Sequence, residues 1–215
     1  MTTAAAPHAA STQRPGSART KAGLRPNQGH GRTNDIGRPL RSADLASDVV
    51  GLLQHLTVAQ ADVFGFSVGG ATALDLVIKH PELVRKLIVS SASFHPDGDR
   101  QENRHAVGEL TVEMIAGTPM EQEYLAKSPH PDKLQDLLDK LGTFDEGFTG
   151  WSDADIEGIA APILITVGDC DAVKLDDARL GSCSRVAATS TATDQPGTTA
   201  RGGRAARDVP PLLRS

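Results

Sequence analysis

The middle of the chain alternates between two spacings of apolar positions. Residues 41–56 carry apolar side chains every three or four positions, which predicts a helix capped by Ser42. Residues 61–67 are a short and almost continuous apolar run, which predicts a buried strand. Residues 69–80 return to the helical spacing, and Pro81 ends that helix because proline has no amide hydrogen to donate. The pattern therefore predicts a helix, a strand and a second helix in this order.

Two further apolar runs complete the predicted sheet. Residues 85–94 and 161–171 are short and rich in β-branched side chains, so each is predicted to be a strand. A strand, a helix and a second strand within about thirty residues form a βαβ unit, whose strands are parallel and buried on both faces. The predicted fold class is therefore α/β, with a mostly parallel sheet flanked by helices.

The residues between the last two predicted strands follow a different pattern. Three short helices are predicted there, with caps at Thr118, Pro131 and Ser152. A helical block between two strands of one sheet is an insertion, and ligands of open α/β sheets bind beyond the carboxyl ends of the strands. We therefore expect residues 97–157 to form a cap over a ligand site.

Charge is distributed unevenly along the 215 residues. Residues 1–34 contain five Lys or Arg and no acid, and residues 179–215 contain six Arg and two Asp. Residues 35–178 contain 25 acids against 11 bases. Both end segments are poor in large apolar side chains and cannot bury enough surface to offset the entropy lost on ordering. We expect residues 1–28 and 179–215 to be disordered or not native to the domain.

The nature of these ends has two further interpretations. The Arg- and Ser-rich, acid-poor start is typical of a transit peptide, although it lacks a regular apolar stripe. The tail after Ala178 has the composition expected when a GC-rich gene is read out of frame, which translation of the other two frames would test. Between the ends, residues 29–96 and 158–178 are predicted to form the core and residues 97–157 the cap.

Composition excludes several classes of protein. A formal net charge of −5 argues against a nucleic-acid binder. Cys170 and Cys183 form neither a disulfide framework nor a metal site. The apolar runs are far shorter than the ~20 residues that span a bilayer, and no apolar signal core follows the first residues. We expect a cytoplasmic protein with no metal, cofactor, nucleic acid or membrane partner; the sequence does not define its oligomeric state.

The stretch VFGFSVGG, residues 63–70, places Ser67 between Gly65 and Gly69 where a predicted strand passes into a predicted helix. A serine hydroxyl is a weak nucleophile and has to be presented to a base. The two glycines relieve crowding in a sharp turn, and amides at the start of the helix face any oxyanion. This spacing predicts a nucleophile elbow, with the N–H of Val68 as an oxyanion donor. A dinucleotide-binding loop would need glycine at position 67, and a glycine-rich turn with an idle serine is the other alternative.

The chain resembles the α/β-hydrolase family over residues 29–178. The sequence GHGRT resembles the loop after the family's fourth strand, VFGFSVGG its nucleophile elbow, HPELVRKLIVSSASF its sixth strand and PILITVGDCD its seventh strand. The resemblance is to cap-bearing bacterial enzymes with a serine nucleophile, including enol-lactonase-like and non-haem haloperoxidase-like members. Serine rather than aspartate at position 67 argues against a dehalogenase.

This resemblance implies roles for individual residues. Ser67 is implied as the nucleophile and Asp171 as the acid that orients a histidine, with Asp169 as the alternative acid. Phe66 and His30 are candidate pocket residues. The implied substrate is a small carboxylic ester, a lactone or a similar acyl compound, and no cofactor is implied.

The expected catalytic histidine is missing from its place in the chain. The family order is serine, acid, histidine, whereas all seven histidines of this chain precede Asp171. Loss of a triad member costs on the order of 10⁴ to 10⁶ in rate. His95, which follows a predicted strand, is the candidate substitute for the missing base, and a solvated loop residue is its alternative. No counterpart of the family's first strands precedes residue 29, so we expect a chain truncated at both ends.

Three hypotheses for the function stay open. The first is a serine hydrolase acting on an ester, lactone or similar acyl substrate, impaired because no histidine follows Asp171. The second is a catalytically inactive remnant or a binding protein on the same fold. The third is an acyltransferase, which differs from a hydrolase only in the molecule that accepts the acyl group.

Overall fold

A parallel sheet with helices packed against it forms the centre of the molecule. The computed structural model describes residues 2–3, 27–100, 107–168, 171–174 and 186–191. In these residues a five-stranded sheet is flanked by helices, and a helical segment is inserted between two neighbouring strands. The predicted α/β fold class is confirmed.

The elements follow one another in the predicted alternation. The strands are β1 (Thr2–Thr3), β2 (Ala61–Phe66), β3 (Val84–Ser90), β4 (Ile163–Gly168) and β5 (Val186–Thr191). The helices are α1 (Ser42–His55), α2 (Val68–Lys79), α3 (Pro119–Lys127), α4 (Leu134–Gly142) and α5 (Asp153–Glu157). Single 3₁₀ turns lie at Pro81–Leu83, Pro96–Gly98 and Pro131–Lys133.

The sheet order follows the chain order from β1 to β5. β1 runs antiparallel to β2, whereas β2, β3, β4 and β5 are parallel to one another. Phe66 lies opposite Ser90, and Ser90 lies opposite Thr166. Because parallel strands share their direction, the segments that follow β2, β3 and β4 begin at one edge of the sheet. No strand was predicted at β1 or β5, and most of the two end segments that hold them lies outside the described residues.

The start of α1 is capped by a distant residue and not by Ser42. Ser42 is the first helical residue, and its amide N–H donates to Oδ1 of Asp145 at 2.7 Å. The predicted cap at Ser42 is therefore wrong, because the cap position falls on Arg41 and Ser42 lies inside the first turn, where a carboxylate from the segment after α4 accepts its amide. Burial raises the pKa of Asp145, against the opposing effect of its hydrogen bonds with Ser42. The predicted caps at Thr118 and Ser152 are confirmed, since both side chains accept amide hydrogens of their helices.

Several predicted element boundaries differ from the structure, and the differences at Pro131 and at the end of β3 concern the fold most. Residue Pro131 begins a 3₁₀ turn and not α4, which starts at Leu134. β3 ends at Ser90 although the apolar pattern continues to Phe94, because Ser91 has a φ of 51° and breaks the extended backbone. Phe94 is nevertheless completely buried, so its apolar character reflects packing beyond the strand.

Buried apolar side chains form two clusters. The larger one joins α1 and α2 to the sheet and includes Leu74, Val89 and Ile165. The second lies within the inserted helical segment and reaches the start of α1 through Leu40 and Leu45. The insertion therefore has its own small core, which is continuous with the first turn of α1 and stabilises both together.

One buried polar contact also fixes the insertion to the sheet-side layer. Nε1 of Trp151 donates to Oδ1 of Asp75 at 3.2 Å, and Nζ of Lys79 lies 2.8 Å from the same carboxylate oxygen. Asp75 is buried in α2, and Trp151 packs in the larger cluster. A buried carboxylate is tolerated here because both partners reach it.

In the part of the chain that is described, no helix is both long and apolar enough to cross a bilayer.

Candidate active site

Ser67 occupies a strained turn between β2 and α2. Its φ of 52° and ψ of −121° lie in a region that residues other than glycine rarely adopt. Its amide N–H donates to the carbonyl of Ser90 at 2.9 Å, which holds the turn against the end of β3. The serine is exposed, and the described residues provide no hydrogen-bond partner for its hydroxyl. The backbone thus presents an unengaged hydroxyl at the carboxyl edge of the sheet.

Two glycines make this turn possible. A Cβ at Gly65 would lie 2.2 Å from the carbonyl oxygen of Gly69, and a Cβ at Gly70 would lie 2.5 Å from the Cβ of Ala92. The sequence predicted Gly65 and Gly69 as the glycines of the elbow, and it missed the requirement at Gly70. A side chain at position 65 would collide with the backbone of Gly69. Gly65 and Gly69 therefore lie on the two sides of one close backbone contact.

The start of α2 supplies amide groups next to Ser67. The carbonyl of Ser67 accepts the amide hydrogens of Gly70 and Ala71 at 2.7 and 3.2 Å, so the helix begins directly at the turn. Val68 is the first residue of α2 and is half-buried. The first amides of a helix have no carbonyl partner within it. They carry the positive end of the helix dipole and suit a developing negative charge.

Asp171 lies at the same edge, beyond the end of β4. Its Oδ2 accepts the Ser91 hydroxyl at 2.6 Å and the amide of Gly168 at 3.0 Å, and its Oδ1 accepts the amide of Val173 at 3.2 Å. Burial by itself would raise the pKa of this carboxyl, but these bonds together outweigh it and hold the pKa below its ordinary value. The predicted acid is thus ionised and fixed in direction. Asp169, the alternative acid, lies outside the described residues.

Ser91 connects the two predicted site residues, and sequence reasoning missed it. Its hydroxyl binds Asp171, while the carbonyl of the preceding Ser90 binds the amide of Ser67. The only signal in the sequence is its position at the end of a predicted strand next to the elbow. The structure thereby links Ser67 to Asp171 through consecutive residues of β3 and its end.

The two candidate pocket residues are in different surroundings. Phe66 is 48% exposed and directly precedes Ser67 in the chain. Nδ1 of His30 lies 2.9 Å from the carbonyl of Gln28. Burial lowers the pKa of His30, and the hydrogen bond with Gln28 opposes this only in part, so the imidazole is neutral at pH 7.

None of the histidines in the described part of the chain forms a hydrogen bond or an ion pair with Ser67 or Asp171. Nε2 of His95 instead lies 3.7 Å from Oδ1 of Asp153, and Nδ1 of His80 lies 3.7 Å from Oε1 of Glu82. A base for Ser67 is therefore not provided by these residues. His8 and His105 lie outside the described residues.

A separate cavity of about 360 Å³ lies between the loop after residue 27 and the inserted helices. Its lining includes Tyr124, His130, Lys133 and Lys140, but not Ser67 or His30. Nζ of Lys140 lies 2.6 Å from Oδ2 of Asp35, so the most enclosed cation at this cavity already has a partner. Among the described residues no three potential ligands cluster as a metal site would require.

The lowered pKa of Asp171 predicts a loss of stability in acid. The folded chain keeps this carboxylate ionised where the unfolded chain takes up a proton, so its contribution is complete above the ordinary pKa of aspartate and lost as the pH falls through the lower folded value. We expect Asp171→Asn to flatten the fall in the free energy of unfolding below about pH 4. Urea titrations at a series of pH values measure this.

The control for that experiment is Asp132→Asn, at an exposed position where the described structure shows no hydrogen bond to the carboxylate. It should reproduce the acid dependence of the unchanged chain. Equal slopes for the Asp171→Asn variant and the unchanged chain would contradict the prediction.

The geometry defines a class of protein, and comparison with known sequences agrees with it. Residues 14–154 match the family described as alpha/beta hydrolase fold. The chain therefore belongs to the α/β-hydrolase family. The matched region begins before residue 29, at which the resemblance to the family begins, and thus includes part of the expected non-native N-terminal segment. It ends before β4 and Asp171.

Particular relatives match over short stretches. The chain is 38% identical to 3-oxoadipate enol-lactonase 2 of Acinetobacter baylyi over 66 residues, which are 31% of this chain and 25% of the relative. It is 46% identical to homoserine O-acetyltransferase of Thermus thermophilus over 54 residues, which are 25% of this chain and 14% of the relative. The matches thus span well under two thirds of the curated relatives' own length.

The fold also resembles solved structures. The enol-lactonase from Burkholderia xenovorans superposes with a TM-score of 0.53 at 21% identity, covering 78% of this chain and 70% of that chain. At this identity the likeness concerns the fold alone. It supports the α/β-hydrolase fold.

Proposed function

We propose that the chain is a serine hydrolase that acts on a carboxylic ester, lactone or similar acyl compound through Ser67. The observation that carries the proposal is the positive φ of Ser67 at a strand-to-helix turn, with its hydroxyl exposed. Strained backbone of this kind is retained where it serves a site. Family membership and the lactonase and hydrolase relatives support the reaction class.

The proposed reaction follows from the groups around Ser67. Its Oγ attacks the acyl carbon, and the electron pair of the carbonyl moves to the oxygen, which accepts the N–H of Val68. The hydroxyl proton passes to solvent water, because no described histidine forms a hydrogen bond with Ser67, and we therefore expect slow turnover. The leaving alkoxide takes up a proton from water, and a further water molecule later releases the acid from the acyl-enzyme. Asp171 would orient a base that is added from outside the chain.

A second candidate is transfer of the acyl group to an alcohol. The 46% identity with homoserine O-acetyltransferase over 54 residues favours it. Both reactions share the acyl-enzyme and differ in the acceptor, so partition of a bound acyl group between water and added alcohol separates them.

An inert fold is the third candidate. It is favoured by the three hydrogen bonds that the Asp171 carboxylate accepts from a serine hydroxyl and two backbone amides and not from a histidine.

A fluorophosphonate probe tests the proposal. We expect covalent labelling of the folded chain that is slow, because Ser67 lacks a base, and that Ser67→Ala removes, because the turn and the first amides of α2 favour attack by this serine over other hydroxyls. The matched control is Ser47→Ala, which removes another exposed hydroxyl from a regular helix and should label like the unchanged chain. Mass spectrometry of the labelled peptide locates the adduct.

Addition of imidazole sharpens the same test. A diffusible base should raise the labelling rate at Ser67 if the missing step is proton removal. Folded protein that never labels, with and without imidazole, would favour the inert fold over both enzymatic candidates.

A further inference from the structure

Two serines with a strained backbone lie side by side at the edge of the sheet. Ser67 has a φ of 52° and Ser91 a φ of 51°, at the ends of the neighbouring strands β2 and β3. The other described non-glycine residues with positive φ are Thr57 and Asp145, which lie in turns between elements. Such conformations cost about 1–3 kcal/mol and concentrate at functional sites. The strain at Ser91 therefore calls for a function as much as the strain at Ser67.

The hydroxyl of Ser91 has a definite partner. It donates to Oδ2 of Asp171 at 2.6 Å, and the amide of the same serine donates to the carbonyl of Thr166 at 3.0 Å. Hydrogen bonds to an ionised acceptor are shorter and stronger than neutral ones. With both its amide and its hydroxyl engaged, Ser91 is fixed between β4 and the carboxylate.

The other donors to this carboxylate come from its own loop. Gly168 and Val173 provide backbone amides within three residues of Asp171, so they move with it. In the described residues Ser91 is the carboxylate's donor from another element. The hydroxyl of Ser91 joins Asp171 to the end of β3 by a hydrogen bond. The carbonyl of Ser90 joins β3 to Ser67, because it accepts the amide hydrogen of Ser67.

We infer that Ser91 is a positioning residue, whose hydroxyl fixes the direction of the Asp171 carboxylate relative to Ser67. The role of Asp171 itself rests on the proposed function, but the effect of Ser91 on that carboxylate does not. Removal of the hydroxyl takes one donor from the charged form and leaves the burial unchanged. The titration midpoint of Asp171 then moves to higher pH.

The experiment follows the carboxyl resonance of Asp171 by carbon NMR during a pH titration of the full chain. Asp171→Asn identifies the resonance. Ser91→Gly removes the hydroxyl and also relieves the positive φ, so this variant retains a favourable backbone. We expect its Asp171 midpoint to shift upward, and Ser91→Ala to shift in the same direction. Ser90→Ala is the control. It removes a neighbouring hydroxyl that forms no hydrogen bond with Asp171 in the described residues, so the titration midpoint of Asp171 should stay in place.

Each outcome decides the inference. An upward shift in Ser91→Gly with none in Ser90→Ala supports it, and an unchanged or lowered midpoint in a folded Ser91→Gly chain overturns it. If Ser91→Ala fails to fold, Ser91→Gly carries the test alone. The proposed function fails separately, through absent labelling of Ser67, because the titration needs no activity. Slower labelling of Ser67 in the Ser91→Gly variant would further support the inference, because it would show that the position of the Asp171 carboxylate affects the reactivity of Ser67.

Discussion

Gly65→Ala is expected to abolish the folded state or to reduce its stability severely. The new Cβ would lie 2.2 Å from the carbonyl oxygen of Gly69 and 2.8 Å from the Cα of Gly70. Both are backbone atoms at the start of a buried helix, so neither can move without displacing α2. We expect a loss of about 4 kcal/mol or more, against a typical total of roughly 5–15 kcal/mol. Urea denaturation followed by circular dichroism measures it.

The matched control is Gly51→Ala in α1. Nothing lies within 4 Å of a Cβ at this exposed helical position, so alanine gains helix propensity without a clash. We expect a gain of about 0.5–1 kcal/mol. A Gly65→Ala chain as stable as the Gly51→Ala chain would show that the turn does not have this close approach.

Gly70→Ala is expected to cause the second large loss of stability, and removal of the opposing methyl group of Ala92 should relieve part of it. A Cβ at Gly70 would lie 2.5 Å from the Cβ of Ala92, and both atoms are attached directly to the backbone. Rotamer changes cannot relieve the contact, so α2 and the segment after β3 have to separate. We expect a loss of about 3 kcal/mol, at the upper end of overpacking costs. Differential scanning calorimetry of the variant provides the measurement.

Ala92→Gly removes the opposing methyl group and isolates the cause. Alone it should cost about 1 kcal/mol through chain entropy. Combined with Gly70→Ala it should give a total loss of about 2 kcal/mol instead of the additive loss of about 4 kcal/mol, a coupling of about 2 kcal/mol in the double-mutant cycle. Additive losses in the combined variant would place the effect of Gly70→Ala elsewhere than at Ala92.

Sequence reasoning succeeded where the determining residues are neighbours in the chain. The strand, the sharp turn and the helix around Ser67 could be predicted because Gly65 and the apolar periods lie within one short window. The caps at Thr118 and Ser152 are equally local. Helix and strand identity followed from the spacing of apolar positions, and this was sufficient to predict the fold class.

The features that were missed depend on contacts between distant residues. Ser91 and Asp171 are 80 positions apart, and no local pattern relates a serine after one strand to a carboxylate after another. The end of β3 was misplaced for a similar reason, since the residues up to Phe94 remain apolar and only the backbone at Ser91 reveals the break. The need for glycine at position 70 arises from Ala92, which approaches it only in the folded chain.

The cap of α1 by Asp145 has a consequence for synthesis of the chain. The two residues of this bond, Ser42 and Asp145, are 103 positions apart. At roughly 5–20 residues per second, the ribosome makes Ser42 about 5–20 s before its partner. During that interval the first turn of α1 lacks the acceptor for its amide, and Leu45 lacks the apolar neighbours that the inserted helices provide. In the nascent chain, the first turn of α1 therefore gains its carboxylate acceptor only after Asp145 has been synthesised.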